Sequence, residues 1–188
     1  MRIVAGKLKG LKLITFDEEN IRPTLDKVRE AIFSKIQFDI KGSKFLDLFG
    51  GTGAVSLEAI SRGAELVCTV DNDNRSLKVI RENFVKAKVV PNLLSMNYID
   101  AITKLGQLGK KFDFIFLDPP FKTNFGPVAI LEIVRQDLLS EKGMIIYEHL
   151  KEDAELDMAE GYEIFDNKNY GTVRVTYIKR SEKWKPMR

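Results

Sequence analysis

The stretch Phe45-Leu-Asp-Leu-Phe-Gly-Gly-Thr-Gly53 runs from a short apolar segment straight into a glycine-rich turn. Residues 54–62 follow with helical periodicity, so the turn is predicted to connect a buried strand to a helix. Glycines in such a turn let backbone N–H groups at the helix N-terminus approach a ligand. The turn is not a dinucleotide fingerprint, because Ser56 stands where the third glycine would fall. It is not a P-loop either, because no lysine follows Gly53.

The pattern around this turn predicts an α/β fold. Between residues 44 and 148, helical segments alternate with short apolar runs at 45–49, 66–70, 92–96, 112–117 and 144–147. Continuous apolar runs are typical of strands buried on both faces, and the alternation indicates βαβ units around a parallel sheet. Two later runs, 162–165 and 173–178, add strands, and the second has the alternation of an antiparallel strand. We expect a mostly parallel seven-stranded sheet with a terminal antiparallel strand and helices on both faces.

A different kind of segment precedes this sheet. Arg2–Val4 and Leu11–Ile14 flank two glycines and suggest a short β-hairpin, and Thr24–Phe38 has the apolar stripe of a helix. On that helix Asp26, Lys27, Arg29 and Glu30 are expected to be solvated. We predict one domain over residues 1–188, with a basic N-terminal extension (1–40), a catalytic core (41–180) and a basic tail (181–188).

The charge distribution favours a polyanionic partner. The chain has 188 residues and a net charge of +3, but residues 1–44 carry ten Lys/Arg against six Asp/Glu, and residues 179–188 carry five against one. Basic ends around an acidic centre fit contact with nucleic acid, although a solvated surface has the same appearance. No stretch is long and apolar enough to cross a membrane, and no secretory signal is visible. We therefore expect a cytoplasmic protein.

Acidic residues follow three successive predicted strands. Asp47 ends the first, Asp71 the second, and Asp100 comes shortly after the third. Because the carboxyl ends of parallel strands lie at one edge of a sheet, these acids and the glycine turn predict one small-molecule pocket. An acid at the position of Asp71 commonly binds ribose hydroxyls. The alternatives are a turn residue for Asp71 and a helix cap for Asp100.

The tetrapeptide Asp118-Pro-Pro-Phe121 stands at the end of the fourth strand. Two consecutive prolines hold the chain in a stiff, extended turn. The Asp118 carboxylate and the Pro119 carbonyl can then accept from one –NH2 group, while Phe121 stacks on a planar base. The alternative is a rigid connection with a buried aromatic ring.

The cysteine content excludes one class of base methylation. Carbon-5 pyrimidine methyltransferases need a cysteine nucleophile. The only cysteine, Cys68, lies inside a predicted strand, where a buried thiol is expected. No Cys/His cluster could hold zinc, so we expect no metal.

The order of these motifs resembles the class I, Rossmann-like methyltransferases, and the resemblance implies S-adenosylmethionine as cofactor. It implies that Asp47 and the backbone of Gly50–Gly53 hold the methionine part, Asp71 the ribose and Asp100 the adenine amine. The expected cofactor-binding residues are Asp47, Phe49, Gly50, Gly51, Thr52, Gly53, Asp71, Asn72, Asp100 and Ala101. The tetrapeptide is similar to the (D/N/S)-P-P-(Y/F/W) signature of enzymes that methylate exocyclic amines, which implies catalytic roles for Asp118, Pro119, Pro120 and Phe121.

A closer resemblance covers nearly the whole chain. The block Arg22-Pro-Thr-Leu-Asp-Lys-Val-Arg-Glu-Ala-Ile-Phe33 is its most specific part, and with the other motifs it resembles the bacterial 16S ribosomal RNA guanine-N2 methyltransferase family (RsmD type). The family often has Ala-Gly-Ser where Gly50-Gly51-Thr52 stand and Glu where Asp71 stands, and both changes preserve the chemistry.

The resemblance implies a specific guanine of 16S rRNA, or of a small-subunit assembly particle, as substrate of a monomeric enzyme. The expected RNA-binding residues are Arg2, Lys7, Lys9, Lys12, Arg22, Thr24, Lys27, Arg29 and Lys122. We expect the rest of the chain to fold without residues 1–20. Two alternatives stay open: a DNA adenine-N6 or cytosine-N4 methyltransferase, and a non-catalytic RNA-binding assembly factor on the same scaffold.

Overall fold

The computed structural model describes residues 1–16 and 23–181, and for residues 23–25 it describes the backbone only. Within these residues the chain forms five helices and seven strands. The helices are α1 (Pro23–Lys35), α2 (Ala54–Ser61), α3 (Asn74–Lys86), α4 (Tyr98–Gln107) and α5 (Phe125–Arg135). The strands are β1 (Lys44–Asp47), β2 (Leu66–Asp71), β3 (Leu93–Ser95), β4 (Phe112–Leu117), β5 (Leu139–Leu150), β6 (Tyr162–Tyr170) and β7 (Val173–Arg180).

The seven strands belong to one sheet with the order β3-β2-β1-β4-β5-β7-β6. The pairs β1–β2, β2–β3 and β4–β5 are parallel. The last strand of the chain, β7, is antiparallel to both of its neighbours, β5 and β6. The predicted α/β fold with a mostly parallel sheet and a terminal antiparallel strand is confirmed.

The chain divides into two compact units, Met1–Tyr98 and Ile99–Arg188. The first contains β1 to β3 and the second β4 to β7, so the single domain expected over 1–188 stays a prediction. Among residues 1–16 and 23–181, no helix is both long enough and apolar enough to span a membrane.

In the first unit, residues 1–16, here called the N-terminal segment, form the short hairpin that the sequence predicts. A single antiparallel bridge joins Arg2 to Lys12, and beside it the Ile3 N–H donates to the Leu11 carbonyl at 3.0 Å. Ile3 and Leu13 are buried in a cluster with side chains of α2 and α3. Packing against these helices therefore accompanies the strand pairing.

Buried polar groups fix this segment in place. The carboxylate of Glu58 is fully buried on α2, and it accepts hydrogen bonds from the backbone N–H groups of Val4 at 2.8 Å and Ala5 at 3.1 Å. Arg62 Nε donates to the same carboxylate at 2.8 Å. Removing the segment would leave part of a buried charge without donors, which is strongly destabilising. These contacts argue against the expectation that the chain folds without residues 1–20, which stays a prediction.

Arg29 corrects the prediction for α1. It was expected to be solvated and to bind RNA, but only 5% of it is exposed. Its Nη2 donates to the Arg2 carbonyl at 2.6 Å and lies 3.1 Å from a carboxylate oxygen of Asp26. Its Nε lies 3.8 Å from Glu58. Arg29 therefore joins α1 to the N-terminal segment and is unavailable to a phosphate.

Gly6 gives a direct test of how closely the N-terminal segment packs. Its φ is +80°, and an added Cβ would lie 1.9 Å from the Ser61 carbonyl oxygen. Gly10 is a matched control, because its φ of +86° is similar but a Cβ there would meet nothing within 4 Å. Gly10→Ala should lower the free energy of unfolding by only about 1–2 kcal/mol, the cost of the left-handed backbone.

Gly6→Ala should cost distinctly more, because the methyl group would also push the segment away from Ser61. Urea denaturation of the two variants measures the difference. Equal losses in both variants would show that the close approach at Gly6 contributes nothing to stability.

Candidate active site

The glycine turn connects β1 to α2 as the sequence predicts. Gly53 is the N-cap of α2 with a φ of +77°, a left-handed conformation that favours glycine. The Gly50 N–H donates to the Val70 carbonyl at 2.9 Å, and the Gly53 N–H donates to the Gly50 carbonyl at 2.7 Å. The turn is therefore anchored to the end of β2 and leads directly into a helix N-terminus.

Asp71 anchors the same turn from the end of β2. Its Oδ2 accepts from the Gly51 N–H at 2.8 Å, and its Oδ1 accepts from the Asp73 N–H at 2.9 Å. An ionised carboxylate offers about four acceptor positions, so both oxygens keep capacity for ligand hydroxyls. Asp71 is thus more than the turn residue of the alternative reading: it holds the glycine turn and can still accept from a ligand. The neighbouring Asn72 is exposed.

Asp47 is almost completely buried at the end of β1, with 1% of its surface exposed. Its Oδ2 accepts from Ser56 Oγ at 2.7 Å, and Ser56 Oγ also lies 2.7 Å from Thr69 Oγ1. Among the described residues, Oδ1 has no hydrogen-bond partner. Burial, and to a smaller extent the charge of Asp71, raises the pKa of Asp47 to about 6. Asp47 is therefore a carboxyl group that Ser56 orients and whose ionised form a positively charged ligand would favour.

Sequence reasoning missed the partners of these acids. Ser56 was noticed only as the residue that breaks the dinucleotide motif, and its hydroxyl is what positions Asp47. Asn83 is fully buried on α3, where its Nδ2 donates to the carbonyls of Thr52 at 2.9 Å and Ile14 at 3.0 Å. An amide three residues after Ile80, on the apolar face of that helix, is the signal that could have identified Asn83.

The remaining residues expected around the cofactor lie at two places. Within the first unit, the ring of Phe49 packs on Tyr98 with centroids 5.2 Å apart. Within the second unit, Asp100 is exposed in the first turn of α4, and Ala101 is buried. Because α4 begins at Tyr98, Asp100 is not the cap of this helix. Its carboxylate is nevertheless favourably placed near a helix N-terminus.

The Asp118-Pro-Pro-Phe121 turn follows β4 in the second unit. Asp118 is half-buried, Pro119 is buried, and Phe121 is 42% exposed. The turn is fixed by Thr123, whose Oγ1 donates to the Pro120 carbonyl at 2.7 Å. An exposed ring beside a half-buried carboxylate differs from the buried aromatic of the alternative reading. With 42% of its surface exposed, Phe121 can contact a ligand.

A second carboxyl group stands near Asp118, and the sequence analysis did not identify it. Glu148 lies on β5 and is 5% exposed. Burial, followed by the charge of Asp118, raises the pKa of Glu148 to about 8. An acid directly after the predicted strand 144–147 was the available signal, as it is for Asp118 after the fourth strand.

Cys68 is buried in β2, as expected. Burial and the charge of Asp47 raise the pKa of its thiol to about 12. A thiol that stays protonated at neutral pH is a poor nucleophile. Within the described part of the chain, no group of three or more His, Cys, Asp or Glu side chains is placed to hold a metal ion.

Comparison with known proteins identifies the family. The family described as Conserved hypothetical protein 95 matches residues 1–179. The Putative rRNA methyltransferase YlbH of Bacillus subtilis is 34% identical over 184 residues, which cover 96% of this chain and 99% of that protein. Ribosomal RNA small subunit methyltransferase D of Haemophilus influenzae is 31% identical over 179 residues, or 92% of this chain and 90% of the relative. The chain belongs to the ribosomal RNA small subunit methyltransferase D family.

Solved structures agree with this family. The Putative methyltransferase yhhF from Escherichia coli has a TM-score of 0.83 and 25% identity, covering 96% of this chain and 97% of its own. SMU.776, a putative methyltransferase complexed with SAH, shares the fold with a TM-score of 0.66 at 21% identity, over 85% of this chain and 50% of its own. The resemblance to the RsmD-type family and the Rossmann-like methyltransferase fold are confirmed.

The basic residues expected to bind RNA in this family member fall into three groups. On the described surface, Arg2, Lys7, Lys9 and Lys12 of the N-terminal segment are exposed, as are Lys27 on α1 and Lys122 after the Pro-Pro turn. Arg29 is buried and is therefore no longer a candidate for binding RNA. Arg22 and the side chain of Thr24 lie outside the described residues.

The raised pKa of Asp47 has a measurable consequence for stability. Between its ordinary value near 3.8 and about 6, the folded protein holds a proton that the unfolded chain has lost. Stability therefore falls as pH rises through this window and is level above it. Asp47→Asn cannot ionise and keeps an acceptor for Ser56.

The Asn variant should gain free energy of unfolding relative to the wild type as pH rises from 4 to 6, by up to about 3 kcal/mol. Denaturation of both proteins without ligand, at pH steps from 4 to 7, measures this gain. If the difference in free energy of unfolding between the two proteins is constant from pH 4 to 7, Asp47 is not protonated in the folded state.

Proposed function

We propose that this protein transfers a methyl group from S-adenosylmethionine to the exocyclic N2 amine of a guanine in 16S ribosomal RNA. The observation that carries the proposal is the Pro-Pro turn after β4, where the half-buried Asp118 stands beside the exposed ring of Phe121. Membership of the small subunit methyltransferase D family supports ribosomal RNA as the substrate. The specific N2 position rests on the resemblance of the sequence to the guanine-N2 enzymes.

The residues of the first unit fit the proposed cofactor. The methionine part carries an ammonium group, and the Oδ1 atom of Asp47 is a buried acceptor without a partner among the described residues. A positive group there would favour the ionised form of Asp47. Asp71 keeps acceptor capacity for ribose hydroxyls, and the α2 N-terminus at Gly53 presents backbone N–H groups. When bound, S-adenosylmethionine supplies a methyl group on a positively charged sulfur, which leaves as a neutral thioether.

In the proposed reaction, residues of the second unit orient the exocyclic amine, which is a weak nucleophile. The lone pair of an exocyclic amine is delocalised into the base. Asp118 can accept one N–H and the Pro119 carbonyl the other, which localises the lone pair and fixes its direction. Phe121 can stack on the base, a contact that contributes about 1–3 kcal/mol. Water can take the proton that the nitrogen loses, so Asp118 needs only to orient the amine.

The exposed basic residues support an RNA partner. Arg2, Lys7, Lys9 and Lys12 are exposed on a segment that Glu58 and Asn83 hold rigidly by its backbone. Among the described residues, none of these four side chains forms an ion pair, so their charge is available. Phosphate contacts position an RNA without reading its sequence, while a splayed-out base is recognised by stacking and by hydrogen bonds to its edges.

Asp118→Ala tests the chemistry, because alanine removes the acceptor that asparagine would keep. It should lower kcat for methylation of small-subunit RNA by roughly 100-fold or more, because a preorganised polar contact to the reacting group is lost. The dissociation constant for S-adenosylmethionine, measured by titration calorimetry, should stay within a factor of about two, because Asp118 is aimed at the amine. Asp113→Ala on β4, the strand that precedes the turn, is the matched control and should leave kcat unchanged.

Mass spectrometry of the digested RNA identifies the product. Near-normal turnover by Asp118→Ala would overturn the proposed role of the tetrapeptide. A methyl group on adenine N6 or cytosine N4 would favour the DNA-type amino-methyltransferases, and cofactor binding with no methylated product would favour an assembly factor.

Charge reversal at Lys7, Lys9 and Lys12 together tests the RNA surface. On single-stranded RNA, each lost phosphate contact should reduce the log–log dependence of affinity on salt by about 0.7, so three contacts reduce the slope by roughly two. The melting temperature and the affinity for S-adenosylmethionine should be unchanged, because all three side chains are exposed. The matched control reverses three exposed lysines elsewhere, Lys86, Lys110 and Lys142. If both triple variants have the wild-type salt dependence, the N-terminal segment is not the RNA surface.

A further inference from the structure

Glu148 is a buried carboxyl group that the mechanism above does not use. It lies on β5, and Leu117 of β4 is the register partner of Tyr147. The next residues along these parallel strands are Asp118 and Glu148, so the two acids occupy neighbouring register positions. Adjacent strands lie about 4.8 Å apart, which brings the two backbones close together.

In residues 1–16 and 23–181, no cation is paired with Glu148. Among the described residues, Glu148 takes part in no ion pair, and its Oε1 has no hydrogen-bond partner although it is fully shielded from solvent. The titratable groups that act on it are Asp118 from β4 and Tyr177 from β7. Tyr147 and His149 flank it on β5, where alternation directs their side chains to the other face of the sheet.

The burial of the two acids differs, and this decides which of them carries charge. Asp118 is half-buried, whereas Glu148 is 5% exposed. Two ionised carboxylates at such a separation repel each other, so the more buried one retains its proton. In agreement with this, burial and the charge of Asp118 raise the pKa of Glu148 to about 8. At neutral pH the pair then holds one proton and one negative charge.

We propose that Glu148 is a positioning residue that holds a proton beside Asp118, so that the single charge of the pair stays on Asp118 and faces the amine. This inference rests on the proposed amine methylation. A protonated carboxyl group is also a hydrogen-bond donor, and the unpartnered Oε1 of Glu148 can carry that donor toward one oxygen of Asp118 while the other oxygen accepts from the substrate. Glu148 keeps its proton throughout and does not touch the substrate.

The pH dependence of turnover tests the proton. As pH rises through about 8, Glu148 ionises, the donor is lost, and kcat of the wild type should fall. Glu148→Gln stays neutral and keeps a donor, so it should retain kcat within a factor of about three at pH 7 and lose the decline above pH 8. Ionisation of the guanine affects both enzymes equally. The flanking groups do not interfere, because the pKa of His149 is lowered and that of Tyr147 is raised to about 12.

Glu163→Gln on β6 is the matched control and should keep the wild-type profile. An unchanged alkaline decline in Glu148→Gln would overturn the proposal. An inactive but folded Glu148→Gln would overturn it as well, because a neutral donor would then be insufficient.

Glu148→Leu tests the donor itself, since it keeps the volume and removes the hydrogen bond. It should lower kcat by roughly 10- to 100-fold, the loss expected for one hydrogen bond to a charged group. KM for RNA and the affinity for S-adenosylmethionine should not change. Wild-type kcat in this variant would overturn the positioning role.

A titration without substrate separates this inference from the proposed function and needs no active variant. In protein labelled with carbon-13 at the glutamate carboxyls, one signal should titrate near pH 8, far above ordinary glutamates at about 4.3. That signal should be missing from Glu148→Gln. If Glu148 titrates with the ordinary glutamates, the inference fails even where guanine is methylated. If it titrates near pH 8 but no amine is methylated, the proposed function fails and the protonated Glu148 stands.

Discussion

The buried carboxylate of Glu58 is the constraint on which the first unit depends. It lies in the middle of α2, the helix whose N-cap is Gly53, the last residue of the glycine turn. The backbone of residues 4 and 5 and the side chain of Arg62 supply its donors, and a charge so deeply buried is tolerated only with such donors. One helix therefore presents the candidate cofactor turn at its start and fixes the basic N-terminal segment along its length.

Much of the fold could be predicted because the apolar runs are continuous. β4 has the predicted bounds, and β7 has the alternation expected of an antiparallel strand. β5 begins five residues before its predicted start, because Ser140, Glu141 and Lys142 are polar and hide the strand from a hydrophobicity pattern. There the pairing with β4 is irregular, with a register shift between Phe112 and Phe114. A hydrophobicity pattern cannot identify the start of a strand in which three polar residues follow the first apolar one.

The candidate site divides in the same way. Asp47, Asp71 and Asp118 could be predicted because strand ends and a Pro-Pro turn determine their positions from local sequence. The partners could not, because the Ile14–Asn83 contact joins residues 69 positions apart and the Val4–Glu58 contact spans 54. Periodicity predicts which face of a helix is buried, but it does not predict which distant residues contact that face. Arg29 is the clearest case, since an arginine on a helix is usually solvated and here a buried carboxylate attracts it inward.

The order of the strands also determines how the sheet ends. The outermost strands are β3, which has only three residues, and β6. β6 carries Glu163, Asp166 and Lys168, and its pairing with β7 shifts between Ile164 and Asp166. Short strands, charged side chains and bulges all oppose the addition of a foreign strand, because they interrupt the row of backbone donors and acceptors at an edge. Both borders of the sheet thus discourage edge-to-edge aggregation between copies, even though the strands between them are among the most apolar parts of the chain.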